Sequence, residues 1–304
     1  MRIIFMGTPD FAVPSLNALV DAGHDVICVV AQPDKPKGRG KKMVSPPTIE
    51  RARQLGIPTK QPRRVRKGPF VEWMQGAQAD LAVVVAYGRI LRSNLLEAPK
   101  KGCINVHASL LPKYRGAAPI HWAVINGEQK TGVCTMQMDV GMDTGDILLS
   151  RETEITSTDT TGTLWERLSK LGASTLIETL ESLDTITPRP QDHSQSTHAP
   201  MLQKSDGCID WTQHAHSIYN RVRGVTPFPG AWTIFREQKL KIWSIRPVDA
   251  GGVPGTVLVA KKRLVVAAGS GGLEIQEAQL PGKKRGPAVN LINGARIQVG
   301  EKLG

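Results

Sequence analysis

The sequence predicts an α/β protein, a doubly wound and mostly parallel sheet followed by a small antiparallel β-barrel. Three observations predict it. Five apolar, mostly β-branched runs, at 2–7, 25–32, 81–87, 102–109 and 131–139, are separated by helical patterns, and such alternation belongs to parallel sheets covered by helices on both faces. Residues 184–204 are rich in Pro, Ser, Thr, Gln and Asp and read as a linker. Beyond them, short alternating runs broken by Gly and Pro fill the last hundred residues, the pattern of a small barrel. The expected organisation is therefore a first domain at 1–183, a linker at 184–204 and a second domain at 205–304.

The elements follow in order. RIIFMG (2–7) is a strand ending in Gly; Thr8 then serves as a helix cap before Pro9 and the apolar series Leu16, Leu19 and Val20. DVICVVAQ, LAVVVAY, GCINVHAS and TGVCTMQMD supply the remaining strands, with IERARQLG and IHWAVING as helices between them. The longest helix spans about Thr163 to Leu183, with Leu164, Leu168, Leu171 and Leu176 close to helical spacing. In the second domain the amphipathic HAHSIYNRVRGV precedes the strand runs AWTIF, LKIWSI, GTVLVA, RLVVAAG, GLEIQEAQ and ARIQVG.

Bulk properties narrow the class. No run of 18 apolar residues occurs in the 304 and the N-terminal apolar stretch is too short for a secretory signal, so a cytoplasmic protein with no membrane association is expected. Cys28, Cys103, Cys134 and Cys208 lie far apart with no C-x-x-C pair, which points to neither zinc nor disulfides; all four read as buried small residues. The formal charge of +12 is uneven: residues 205–304 hold 14 Lys/Arg against 7 Asp/Glu. PDKPKGRGKK (33–42) and KQPRRVRK (60–67) each add five basic residues. Such a field favours a polyanionic partner, nucleic acid first, although a basic run is also an ordinary solvated surface.

The turn after the first strand, GTPDFA, has one glycine, so the dinucleotide fingerprint is missing; GRGKK lacks the Ser/Thr and glycine spacing of a phosphate-binding loop. Asn105 and His107, two apart in a strand run, share a face. An amide N–H stabilises a developing oxyanion and a neutral imidazole shuttles a proton. Asp143, in the loop MDVGMDTGD (138–146), can orient or charge-tune His107. Each residue is equally at home as hydrogen-bonded structure. With no G-x-S-x-G nucleophile, direct transfer is favoured over a covalent intermediate.

NVHASLLPKYRGAAPI (105–120) resembles the signature of the folate-dependent formyltransferases. RIIFMGTPDFA, AQPDKPKGRGKK, VVVAYGRIL, MQMDVGMDTGDIL, IDW and FPGAW resemble, in order and over essentially the whole chain, the branch of that family whose acceptor is initiator methionyl-tRNA. The resemblance implies a Rossmann-like formyltransferase fold with an OB-like second domain that supports the tRNA. It implies transfer of the formyl group of 10-formyltetrahydrofolate, the co-substrate, to the α-amino group of methionyl-tRNA, without a metal and with a monomer sufficing. Asn105, His107 and Asp143 take the catalytic positions. Ser109, Leu110, Leu111 and Pro112 form the folate turn, and Tyr87, Gly88, Arg89, Ile90, Leu91 and Asp139 contribute contacts to the pterin. Arg39, Lys41 and Lys42 lie in the insertion expected to meet the tRNA acceptor end. Ala108 stands where Gly is common in the family. An acceptor amine on a sugar nucleotide or ribonucleotide is the alternative that keeps the chemistry; an RNA-binding protein with a relic first domain is the alternative that does not.

Overall fold

The computed structural model describes every residue except Arg39 and Lys41, and Lys37 by its backbone alone. The chain forms two units: Met1–Pro119, Lys130–Thr153 and Trp165–Ala199 make the first, and Ile120–Gln129, Glu154–Leu164 and Pro200–Gly304 the second.

The first unit contains strands β1 (Arg2–Gly7), β2 (Asp25–Val30), β3 (Lys35–Lys37), β4 (Lys42–Val44), β5 (Thr59–Lys60), β6 (Leu81–Val85), β7 (Cys103–His107), β8 (Lys130–Gln137) and β9 (Ile147–Glu154). Seven of them form one sheet in the order β5-β2-β1-β6-β7-β8-β9. β3 and β4 pair separately as a hairpin, Lys35 opposite Val44. Helices α1 (Val13–Asp21), α2 (Pro47–Gln54), α3 (Pro69–Gly76) and α4 (Ser93–Leu96) connect the strands; α5 (Pro119–Ile125) follows β7 in the chain and belongs to the second unit apart from Pro119, and α6 (Thr161–Glu181) follows β9, belonging to the first unit from Trp165 onward. β6 and β7 are buried along their whole length, as strands covered on both faces must be.

From β5 to β7 the sheet is parallel, but β8 runs antiparallel to β7, with Ile104 opposite Gln137 and His107 opposite Cys134. The continuous apolar run of β8 satisfies burial on both faces in either direction, so the sequence carries no sign of the reversal. Its consequence is that the loop after β8 leaves beside the beginning of β7, and must fold back to reach the residues at its end.

One further detail differs from the sequence expectation. Thr8 is not a cap: α1 and the 3-10 turn before it have no side-chain cap. Its hydroxyl instead donates to the Tyr87 carbonyl (3.0 Å) and accepts from the Gln32 N–H (3.2 Å). The one glycine of the first turn answers to packing, since a Cβ on Gly7 would lie 2.7 Å from that of Ala12 and 3.0 Å from the Val85 carbonyl oxygen.

α6 decides which face of β7 is open to chemistry. At Gly172 the helix comes so close to the sheet that a Cβ there would stand 2.9 Å from Val106, and Thr179 meets Thr135 of β8 at 2.7 Å. Val106 thus points at α6, and Asn105 and His107, on either side of it in the strand, point the other way.

The second unit holds β10 (Ala231–Phe235), β11 (Gln238–Val248), β12 (Val257–Ala260), β13 (Leu264–Ala267), β14 (Gly272–Gln279) and β15 (Gly286–Pro287), with helices α7 (Ala215–Gly224) and α8 (Ala288–Ala295). The sheet is antiparallel in the order β10-β11-β14-β13-β12, with β15 on β14. Its edges are bridged by the last residues: Leu303 pairs with Phe235 of β10, and Lys302 with Thr256 just before β12. The sheet is therefore barrel-like. ARIQVG, expected as a strand, is not one. α8 ends within it at Ala295 and Arg296 takes the left-handed conformation (φ 51°); the alternation that suggested a strand begins only where the helix stops.

Cys28, Cys103 and Cys134 are buried, but Cys208 is exposed, which corrects the expectation for that residue. Burial pushes the Cys28 thiol up to about 11 and Cys103 to about 12. The thiolate is the reactive form, so native protein treated with iodoacetamide near pH 8 should be alkylated at Cys208 alone, and peptide mapping that found Cys28 or Cys103 modified at a similar rate would contradict this packing. No helix among the described residues is long and apolar enough to cross a membrane.

Candidate active site

Asn105 and His107 lie at the end of β7, 9% and 6% exposed. Asp143 comes back to them on the loop after β8. Its Oδ1 accepts from Asn105 Nδ2 at 3.4 Å and lies 3.7 Å from His107 Nδ1. Its Oδ2 accepts from the Gly116 N–H at 2.8 Å. One carboxylate oxygen is thus anchored by backbone while the other faces both side chains of β7.

The histidine has a defined tautomer. Nε2 stands 3.0 Å from the Tyr114 carbonyl oxygen. A carbonyl only accepts, so Nε2 carries the hydrogen, and Nδ1, facing Asp143, is the nitrogen that gains and loses a proton. The Asn105 amide has two N–H donors and gives one to Asp143, which leaves the second for a reacting oxygen. The arrangement can steady negative charge on an oxygen and move a proton, the two requirements of acyl transfer to an amine.

The predicted folate turn begins directly after β7. Ser109 is fully buried and its hydroxyl donates to the Lys113 carbonyl. Leu111 is buried against Cys134, Met136 and Ile147, while Leu110 and Pro112 are half-buried. Asp139 is exposed and spends Oδ1 on the Gly141 N–H and the Thr144 hydroxyl.

The 87–91 loop follows β6, the parallel neighbour of β7, in which Val84 lies beside Asn105. Tyr87 and Leu91 are buried, Ile90 is 66% exposed, and Gly88 is exposed with a left-handed φ of 79°. Burial pushes the Tyr87 phenol up to about 12, so it stays protonated, and its hydroxyl has no partner among the described residues. Gln32 ties the loop down: its Nε2 donates to the Tyr87 and Gly88 carbonyls, and its Oε1 accepts from Arg89 Nε. Arg89 and Ile90 close a cavity of about 510 Å³ whose other walls are Arg63, Arg64, Val65, Arg66 and Lys67. None of these five cations forms an ion pair among the described residues.

Of the insertion residues, Lys42 is exposed on β4; Arg39 and Lys41 lie outside the described residues. The sequence carries no sign of the part played by Gln32, Gly116 and Gln191, and marks Thr8 only as a cap, although the side chain or backbone N–H of each holds a loop of the site. For the basic cavity the run KQPRRVRK was the visible signal.

The formyl transferase family profile matches residues 1–180, and that of the formyl transferase C-terminal domain matches residues 201–296. Methionyl-tRNA formyltransferase of Solibacter usitatus is 51% identical over 308 residues, covering 100% of this chain and 99% of that protein. The methionyl-tRNA formyltransferase of Citrifermentans bemidjiense is 49% identical over 307 residues, with 100% and 96% covered. Among solved structures, WlaRD, a sugar 3N-formyl transferase in the presence of dTDP and 5-N-formyl-THF, superposes with a TM-score of 0.70 at 18% identity, covering 93% of this chain and 99% of that one; it shares the fold. With matching profiles over both domains and half-identical relatives along its full length, the chain belongs to the formyl transferase family.

Proposed function

We propose that this chain formylates the α-amino group of initiator methionyl-tRNA with 10-formyltetrahydrofolate as donor, in the cytoplasm and as a monomer. The observation that carries the reading is the end-to-end half identity with methionyl-tRNA formyltransferases, in a chain where Asn105, His107 and Asp143 meet at a strand end. Residues 63–67 with 89–90 and the carbonyl of Gly88, which accepts only from Gln32 among the described residues, would hold the donor. Their cations and apolar walls suit a molecule with an aromatic body and carboxylates, and WlaRD was solved with a formylated folate. When bound, the donor supplies the formyl carbon.

The protein's own groups do the rest. Asn105 gives its free amide N–H to the oxygen on which negative charge develops. His107, held by Tyr114, takes the proton shed by the attacking amine at Nδ1 and returns it toward the departing nitrogen. Asp143 faces the resulting imidazolium with Oδ1, its other oxygen fixed by Gly116. A single copy supplies all three groups. The second domain contributes affinity for the RNA: Lys239 and Lys241 on β11 and Lys283 and Lys284 beyond β14 are exposed. Lys239 lies over Trp232 (3.8 Å) and Lys241 over Trp243 (6.0 Å).

The deciding assay is incubation with 10-formyltetrahydrofolate and charged initiator tRNA, with N-formylmethionine released by hydrolysis as the readout and a dTDP-amino sugar as parallel acceptor. Formylation of the sugar but not the tRNA would replace this reading with the alternative acceptor. Neutralising Lys241, Lys283 and Lys284 should flatten the salt dependence of tRNA binding by about one unit of slope or slightly less per lost phosphate contact, with turnover of the saturated enzyme little changed. An unaltered slope would move the RNA surface elsewhere.

A further inference from the structure

We infer that Gln191 is a positioning residue for the reaction, setting Asp143 against His107 from the segment that composition marks as a linker; the inference rests on reading Asn105, His107 and Asp143 as the reacting centre. Gln191 is 7% exposed. Its Nε2 donates to two backbone carbonyls, of Asp143 (2.9 Å) and Gly145 (2.7 Å). Its Oε1 accepts twice from Arg115, from Nε at 3.1 Å and from the terminal nitrogen at 2.6 Å. Carbonyls only accept and a guanidinium only donates, so the amide has one orientation that satisfies all four bonds. No other side chain of this length both donates twice at one end and accepts at the other.

The loop it holds needs holding. Val140 and Met142 are 71% and 52% exposed, so burial contributes little to its position. Asp143 itself sits at φ 54°, a left-handed conformation that is sterically strained for a non-glycine residue. Gln191 grips the carbonyls on both sides of Thr144. Arg115, which holds Gln191, is followed by Gly116, whose N–H holds the Asp143 carboxylate. Backbone and carboxylate of Asp143 are thus referred to one short frame. The strip carrying Gln191 is itself fixed by paired backbone bonds, Arg189 with Ile147 on one side and Arg115 with Thr197 and Ala199 on the other.

Gln191→Glu keeps the size and the Arg115 contact but sets a carboxylate oxygen against two carbonyls. Its kcat should fall about 10- to 100-fold, the scale set by ångström-sized misplacement of a catalytic group, with KM for Met-tRNA within about twofold of the parent. In an Asp143→Asn background the same change should cost little more, because residues that act as a unit are non-additive. Full multiplication of the two effects, or an unchanged kcat, would overturn the inference. Gln191→Ala gives the same comparison should the glutamate variant fold poorly. A readout without substrate separates this inference from the functional reading: the ¹⁵N resonances of the His107 ring should move in either Gln191 variant, and unmoved resonances would overturn it even in an active enzyme. If the parent protein formylates nothing while those resonances move, the functional reading fails and the positioning contact stands.

Discussion

His107→Ala is expected to fold as the parent does and to lose about 10²- to 10⁴-fold in the rate of formyl transfer, the range for removal of a positioned general acid–base group. The loss should appear in single turnover at saturating tRNA, because the imidazole is assigned to the chemical step rather than to binding. The structural cost is smaller than the catalytic one: removing the donor of the buried hydrogen bond from Nε2 to the Tyr114 carbonyl costs about 1–3 kcal/mol. Asn105→Ala should lose about 10²- to 10³-fold, as for one oxyanion donor. Asp143→Asn is the informative intermediate case, since an amide oxygen can still accept from the Gly116 N–H while the charge facing Nδ1 is gone. Near-normal turnover of a folded His107→Ala enzyme would remove the imidazole from the reaction.

What was legible in the sequence divides along a physical line. Positions of strands were legible because burial on two faces demands continuous apolar runs: β1, β2, β6 and β7 lie within the predicted stretches, and β8 begins one residue before its own. The convergence of Asn105 and His107 was legible because a strand's period of two is local. Strand direction was not, since an apolar run reads alike both ways, and the reversal of β8 changes where its loop emerges. Asp143 stood out only as an acid in a glycine-rich loop. Gln191 gave no signal at all: its four bonds are to residues 46 to 76 positions away, and the surrounding TPRPQDHSQS has the composition of an ordinary linker. Polar side chains that satisfy distant backbone groups leave no period in their own neighbourhood, so the support of the site was less visible than the site. The same holds for Thr8 and Gln32, which hold the 87–91 loop.

Gly145→Ala tests whether that support is as tight as the geometry implies. A Cβ at residue 145 would stand 1.8 Å from the Gln137 carbonyl oxygen and 3.3 Å from the Asp139 nitrogen. Both are backbone atoms, and Gln137 ends β8 with its N–H bonded to the Asp146 carbonyl, so neither can swing aside as a flexible side chain would. Ordinary contact begins near 3.4 Å; the loop must therefore shift by more than an ångström to admit one methyl group. Gly145 is two residues from Asp143 and shares the Gln191 amide with it, so the shift is transmitted to the carboxylate, whose bonds to Gly116 and Asn105 have no slack of that size. The expected result is a loss of about 100-fold in kcat, with a destabilisation of about 1–3 kcal/mol, the usual cost of overpacking. Gly76→Ala is the matched control, since a Cβ at that helix end meets nothing within 4 Å and the change should be neutral or slightly stabilising. Activity and melting temperature measured side by side separate the two effects. Parent-like turnover in Gly145→Ala would mean that the loop tolerates displacement, and that Asp143 is not held to the position on which its partnership with His107 depends.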